Sequence, residues 1–207
     1  MRILTIFLSS INKYGVKFLM FIMIYEFLNF YRFRLNDYLV VNPINKKYEP
    51  SVPTPYYCLY LIKKTIINKK YTFIDFGCGR GRVIQFFKNN NNIKKIIGIE
   101  NNTKFKKDLQ KINDKKTKIY FNDCSNNSFL SFLSNKYSKD NLVLYFYHPF
   151  SMRILNEILK KFLNKNKKTL IIIILGEIFI FEKIKKKFKL KKNKMHSLLN
   201  IYNYKYH

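Results

Sequence analysis

The 207-residue sequence predicts an α/β domain built on a doubly wound, mainly parallel sheet. Three features point there. Short apolar runs without polar alternation recur at Phe73–Phe76, Ile96–Ile99, Ile119–Phe121, Leu142–Tyr147 and Leu170–Leu175, as strands buried on both faces require. Longer charged segments separate them, at Arg82–Asn89, Thr103–Asp114, Ser125–Asn135 and Ser151–Asn164, and read as helices. The first apolar run ends in a glycine-rich turn directly before the first of these helices, and ligands bind at such turns in open parallel sheets.

Taken in order, residues 1–38 read as helical. Val16–Tyr25 is apolar apart from Lys17, and Glu26, Asn29, Arg32 and Arg34 follow closely. The uncharged stretch is too short to span a bilayer, and no small-residue cleavage site marks a signal peptide. The segment is expected to pack on the domain as a helix; peripheral membrane contact through residues 1–35 is the open alternative. Asn42-Pro43, Glu49-Pro50 and Pro53-Thr54-Pro55 hold four of the five prolines. They predict an extended connector, because a residue before proline avoids the helical basin. The N-terminal part is therefore 1–47 and the main domain 48–207. Tyr56–Asn68 reads as an amphipathic helix leading into the core. After Leu175, Glu177–Lys187 reads as a helix and Phe188–Tyr206 as a C-terminal β-hairpin, which brings the sheet to seven strands.

The formal charge is +28, from 40 basic and 12 acidic residues. Taken alone, it predicts attraction to nucleic acid or to an anionic membrane. The excess is almost all lysine, spread along the chain with abundant Asn, Ile, Tyr and Phe. Arginine, the better phosphate fork, is confined to Arg2, Arg32, Arg34, Arg80, Arg82 and Arg153. That profile fits an A/T-rich coding bias better than selection for a polyanionic partner. Cys58, Cys78 and Cys124 are far apart and form no C-x-x-C pair, which favours a reduced, cytoplasmic setting. The spacing of His148, His196 and His207 suggests no metal site. The sequence assigns no oligomeric state.

The decisive segment is Phe73-Ile74-Asp75-Phe76-Gly77-Cys78-Gly79-Arg80-Gly81-Arg82-Val83. Glycines between a strand and a helix permit positive φ and let backbone N–H groups approach an anionic ligand. A dinucleotide fingerprint needs G-x-G-x-x-G, and its third glycine would fall on Arg82. The pattern here is G-x-G-x-G, with Asp75 two residues before Gly77. Two further acids close the next strands: Glu100 after Ile96-Ile97-Gly98-Ile99, and Asp123 after Ile119-Tyr120-Phe121-Asn122. A carboxylate at Glu100 can accept from both hydroxyls of a ribose.

Asp75-Phe76-Gly77-Cys78-Gly79-Arg80-Gly81 closely resembles motif I of the class I, Rossmann-like methyltransferases that use S-adenosyl-L-methionine. The resemblance runs from about Tyr48 to Leu175. It implies that the loop around Gly77, Cys78, Gly79 and Gly81 holds the methionine part of the cofactor. Asp75 would order the loop or meet the ammonium group, Glu100 the ribose, and Asp123 with the Cys124 N–H the adenine. A group of small bacterial methyltransferases is similar also in Tyr48, Pro53-Thr54-Pro55-Tyr56, Gly81-Arg82-Val83 and Pro149-Phe150. By that resemblance His148, Pro149 and Phe150 form the catalytic corner, and Thr54 and Tyr56 lie on the substrate side. This chain departs from the group in carrying His148 where asparagine is usual. A neutral imidazole accepts one hydrogen bond and can act as a base.

The function expected is methyl transfer to an amine, protein lysine included, or to another small nucleophile. Nucleic-acid methylation is a second reading, favoured by the charge and aromatic content. It predicts a contiguous basic surface with exposed aromatics beside the pocket. A catalytically degenerate cofactor-binding module is the third.

Overall fold

The structure, a computed structural model, describes residues 15–30, 52–147, 151–175, 186–188, 191–196 and 199–204. The class is as the apolar runs predict: α/β with a mostly parallel sheet. Its strands are β1 (Tyr71–Phe76), β2 (Ile93–Glu100), β3 (Thr117–Phe121), β4 (Leu142–Tyr147), β5 (Leu170–Leu175), β6 (Lys191–His196) and β7 (Leu199–Tyr204). They lie in the order β3-β2-β1-β4-β5-β7-β6. The first five are parallel, whereas β7 runs antiparallel to both β5 and β6. The helices are α1 (Val16–Phe30), α2 (Tyr56–Lys63), α3 (Arg82–Lys88), α4 (Lys106–Ile112, after a 3-10 turn at Thr103–Phe105), α5 (Asn127–Lys136) and α6 (Met152–Lys165).

Period-two alternation divides the sheet between two apolar layers. Leu142, Leu144 and Phe146 of β4 and Leu170, Ile172 and Ile174 of β5 pack with α5 and α6. Val143, Tyr145, Ile171, Ile173 and Leu175 face the opposite layer with α2 and α3. Helix α6 buries Leu155, Ile158, Leu159, Phe162 and Leu163, the one-face spacing of an amphipathic helix. Each such buried side chain contributes about 1.5–3 kcal/mol of transfer free energy.

Boundaries differ from the sequence reading where local chemistry intervenes. Helix α2 stops at Lys63 instead of Asn68. There the Thr65 hydroxyl donates to the Ile62 carbonyl at 2.7 Å, and Asn68 takes φ 64°. β3 stops at Phe121, so Asp123 lies in the following loop rather than closing the strand. Helix α5 starts at Asn127 because the Asn126 side chain accepts from the N–H groups of Ser128 and Phe129. The connector prolines Pro43 and Pro50 and most of Glu177–Lys187 fall outside the described residues.

Helix α1 packs on α2 through aromatic contacts. Phe18, Phe21 and Tyr25 meet the Tyr57 ring with centroids 5.4, 5.2 and 5.3 Å away, and Tyr25 also meets Tyr60 at 4.8 Å. A polar clamp fixes the register of this contact. Glu26 Oε1 accepts from the Tyr56 N–H at 2.7 Å, and Oε2 pairs with the Arg82 guanidinium at 3.1 Å. Arg82 is 5% exposed, donates also to the Thr54 carbonyl at 3.1 Å, and lies 4.7 Å above the Tyr56 ring.

Glu26→Ala removes the carboxylate from a buried guanidinium and an acceptor from the α2 N-terminus. Loss of about 1–3 kcal/mol for the charged group is expected as a lower urea midpoint, with a smaller loss for Glu26→Gln. An unchanged midpoint in Glu26→Ala would show that this clamp does not hold α1. On β2, a Cβ at Gly98 would sit 2.6 Å from Ile84 Cδ1, 2.8 Å from Ile119 Cδ1 and 3.0 Å from Cys78 Sγ. Gly98→Val should therefore overpack the layer under the glycine loop and cost about 1–3 kcal/mol; a wild-type melting curve would contradict that packing.

Candidate cofactor site

Strand order reverses between β1 and β4, whose neighbours continue in opposite directions across the sheet. Ligands in open α/β sheets sit in the crevice beyond the carboxyl ends at such a point. Here β1 delivers the glycine loop and β4 ends at Tyr147. His148, Pro149 and Phe150 follow immediately in sequence and lie outside the described residues.

All three loop glycines use the conformational freedom the sequence provides. Gly77, Gly79 and Gly81 take φ of 80°, 53° and 84°, values that cost a Cβ-bearing residue about 1–2 kcal/mol each. The fold then spends the loop's donors on itself. Gly77 N and Cys78 N both donate to the Ile99 carbonyl, at 2.9 and 3.0 Å, and Gly81 N donates to the Cys78 carbonyl at 2.8 Å. Gly79 N donates to Glu100 Oε2 at 2.7 Å. The expectation that these N–H groups greet an anion is corrected: four of them point into the protein. Helix α3, which starts from Gly81, is only seven residues long.

Glu100 is the anchor of that arrangement. It is 6% exposed, and its other oxygen accepts from the Asn102 N–H at 2.8 Å. Burial raises its carboxyl above the usual range, against the lowering effect of the Asn102, Gly79 and Asn101 N–H groups. Asp75 is different in kind. It is 1% exposed, and its Oδ2 has no hydrogen-bond partner among the described residues. Burial first, and then the neighbouring Glu100 charge, hold its carboxyl well above the ordinary value. Opposite Asp75 in the β1–β4 register stands Tyr145, whose hydroxyl shares a 2.7 Å hydrogen bond with Thr54 Oγ1.

The two loop cysteines complete the floor. Cys78 and Cys124 are 7% and 5% exposed. Burial pushes both thiols well up, and the charges of Asp75 and Glu100 add to it; Asp123 acts on Cys124 as well. All three acids read from the sequence therefore act on the Cys124 thiol, and two of them on Cys78. Asp123 is half-buried, and its Oδ1 accepts from the Ser125 N–H at 2.7 Å. Tyr56 is fully buried beneath Arg82, and Thr54 bridges Arg82 and Tyr145.

Sequence reasoning missed Glu26, Arg82 and Tyr145 as builders of this wall. Glu26 did carry a signal, as the lone acid of residues 1–36 set inside an apolar run. Tyr145 carried one too, as a hydroxyl in a strand that must be buried on both faces. Nearby, Arg80 pairs with Asp108 at 3.0 Å and lies 5.5 Å over the Phe105 ring, tying the loop to α4.

No family model matches the sequence, and no curated protein matches it. Solved structures do share its fold. The structure of a fibrillarin/Nop5p complex aligns over 84% of this chain and 97% of that one, at 15% identity and a TM-score of 0.51. An rRNA methylase from Streptococcus thermophilus covers 74% of this chain and 96% of its own, at 11% identity and 0.48. TrmK of M. capricolum, solved with S-adenosyl-homocysteine, covers 70% and 65%, at 16% identity and 0.46. At these identities the fibrillarin likeness is one of fold: the sheet and helix arrangement described above is shared with known α/β structures.

Proposed function

We propose that this protein is an S-adenosylmethionine-dependent methyltransferase acting on an amine, a protein lysine included, or on another small nucleophile. One observation carries the proposal: the buried Asp75 carboxylate oxygen without a hydrogen-bond partner among the described residues, at the switch point of the sheet. A buried acceptor left unsatisfied costs about 1–3 kcal/mol, so the site favours a ligand that brings a donor, and above all a cationic one. A nucleotide pyrophosphate would instead meet two buried carboxylates and a loop whose donors are already engaged. The motif I resemblance of Asp75–Gly81 names a ligand of the favoured kind.

Asp75 then receives the ammonium group of the cofactor. Glu100 keeps acceptor capacity beyond its backbone partners, because an ionised carboxylate offers about four acceptor sites; we assign it the ribose hydroxyls. Asp123 and the Cys124 N–H are assigned the adenine edge. When bound, the cofactor supplies a methyl group on a sulfonium leaving group. The chain's own work is to position and desolvate the reactants. His148, Pro149 and Phe150, which follow β4 directly, are assigned the acceptor corner, with the His148 imidazole taking the acceptor's proton. Thr54 and Tyr56 are assigned the wall on the acceptor side.

Calorimetric titration with S-adenosylmethionine, S-adenosylhomocysteine and NAD tests the assignment. Micromolar binding of the first two and none of the third is expected, with at least tenfold weaker binding in Asp75→Asn, about 1.4 kcal/mol or more. A folded wild-type chain that binds neither adenosyl compound would overturn the proposal.

The pH dependence follows from the raised Asp75 carboxyl. In the unfolded chain it ionises at the ordinary value near 3.8, whereas the fold keeps it protonated to higher pH. The unfolded state then binds fewer protons, so this group's stabilising contribution is full at low pH and is lost as pH rises through the native value. The ligand-free protein should lose urea stability as pH rises above the ordinary carboxylate range, and Asp75→Asn should flatten the decline. Cofactor affinity should change in the opposite sense, rising with pH over the same window in the wild type alone. Parallel profiles for wild type and Asp75→Asn would contradict this role.

A further inference from the structure

Helix α1 has two apolar faces, and the domain uses one. Phe18, Ile22, Tyr25 and Asn29 turn toward α2, and Glu26 joins them through its clamp on Arg82. The opposite face stays in solvent: Val16 is 53% exposed, Met20 51%, Met23 55%, Ile24 47%, Phe27 70% and Leu28 63%. Their spacing of three and four residues places them along one stripe. Contiguous exposed apolar surface of this kind marks an interaction site.

The charges around the helix say what kind. Residues 1–36 contain Arg2, Lys13, Lys17, Arg32 and Arg34 against a single acid, Glu26. That acid faces inward and is neutralised by Arg82, so the outer face of the described helix carries no negative charge. Lys17 itself is exposed beside the stripe. A second copy of the chain is a poor occupant, because each copy carries a formal +28. Nucleic acid matches the charge but not the surface, since bases stack on aromatic rings and this stripe is mostly Val, Met, Ile and Leu. Nor is the described helix long enough to cross a bilayer. Its 15 residues span roughly 22 Å against a hydrocarbon core of about 30 Å, and no helix among the described residues is long and apolar enough to do so.

We propose that the outer face of α1 docks on an anionic lipid surface, its Met20–Leu28 stripe in the headgroup–acyl boundary and the exposed Lys17 against acidic headgroups. Apolar burial and attraction to anionic lipid act together in such helices. The domain stays at the surface because Glu26 and the Tyr57 contacts hold α1 to α2. The proposal does not rest on the cofactor assignment.

Vesicle flotation of the full chain tests it, using phosphatidylcholine vesicles with and without about 30% phosphatidylserine. Binding to the mixed vesicles is expected, weakened by raised salt. It should fall at least tenfold in the triple variant Ile24→Gln, Phe27→Gln, Leu28→Gln, which changes no charge. Thermal melting of the variant, expected to match the wild type, separates lost docking from lost folding; should the triple variant melt early, Phe27→Gln alone carries the comparison. Absence of binding to phosphatidylserine vesicles would overturn the proposal. So would equal binding by wild type and a folded variant, which would reduce the effect to bulk charge. A wild-type dimer in sedimentation that the variant abolishes would assign the face to a second copy instead.

Discussion

Two carboxylates buried on neighbouring strands beside a glycine loop set the terms for this molecule. Glu100 earns its place by joining the end of β2 to Gly79 and Asn102, and through them it fixes the path of the loop. Asp75, on the neighbouring strand, has an oxygen with no donor among the described residues. Bringing both charges out of water raises both carboxyls, and the pair repel when ionised. The fold gives Glu100 two backbone donors and leaves one Asp75 oxygen without a partner among the described residues.

Much of this was legible in the sequence because it rests on periodicity and on glycine. Leu142–Tyr147 and Leu170–Leu175 match β4 and β5 residue for residue, since an unbroken apolar run between charged segments has few other solutions. The positive φ angles at Gly77, Gly79 and Gly81 were implied by the motif itself. What the pattern could not give was the direction of the loop's N–H groups. That depends on Ile99 and Glu100 arriving alongside from β2, a pairing of distant segments. The end of α2 and the start of α5 escape the pattern for a similar reason. Thr65 and Asn126 redirect the chain with side-chain hydrogen bonds that hydrophobic spacing does not encode.

The N-terminal helix shows the limit of reading by composition. Its apolar run fits a packed helix and an interfacial one equally well, because both need the same residues. The clamp of Glu26 on Arg82 and the Tyr56 N–H, with the ring contacts to Tyr57, shows which face turns inward. The same clamp places the helix in mechanical continuity with the loop, because Arg82 directly follows Gly81. It also reaches Tyr145 through the Thr54 hydroxyl, and hence the strand beside Asp75.

The floor of the site has a chemical corollary. Cys78 in the loop and Cys124 after β3 are buried, with thiols pushed well up by burial and by the adjacent carboxylates. Sulfur attacks carbon as thiolate, not as thiol. A protein proposed to shelter an electrophilic sulfonium a short way from two sulfur nucleophiles would risk alkylating itself at each encounter. Burial first, and then the neighbouring carboxylates, keep those thiols protonated and therefore silent. The acids that would welcome a reactive cation thus also make the surrounding walls inert to it.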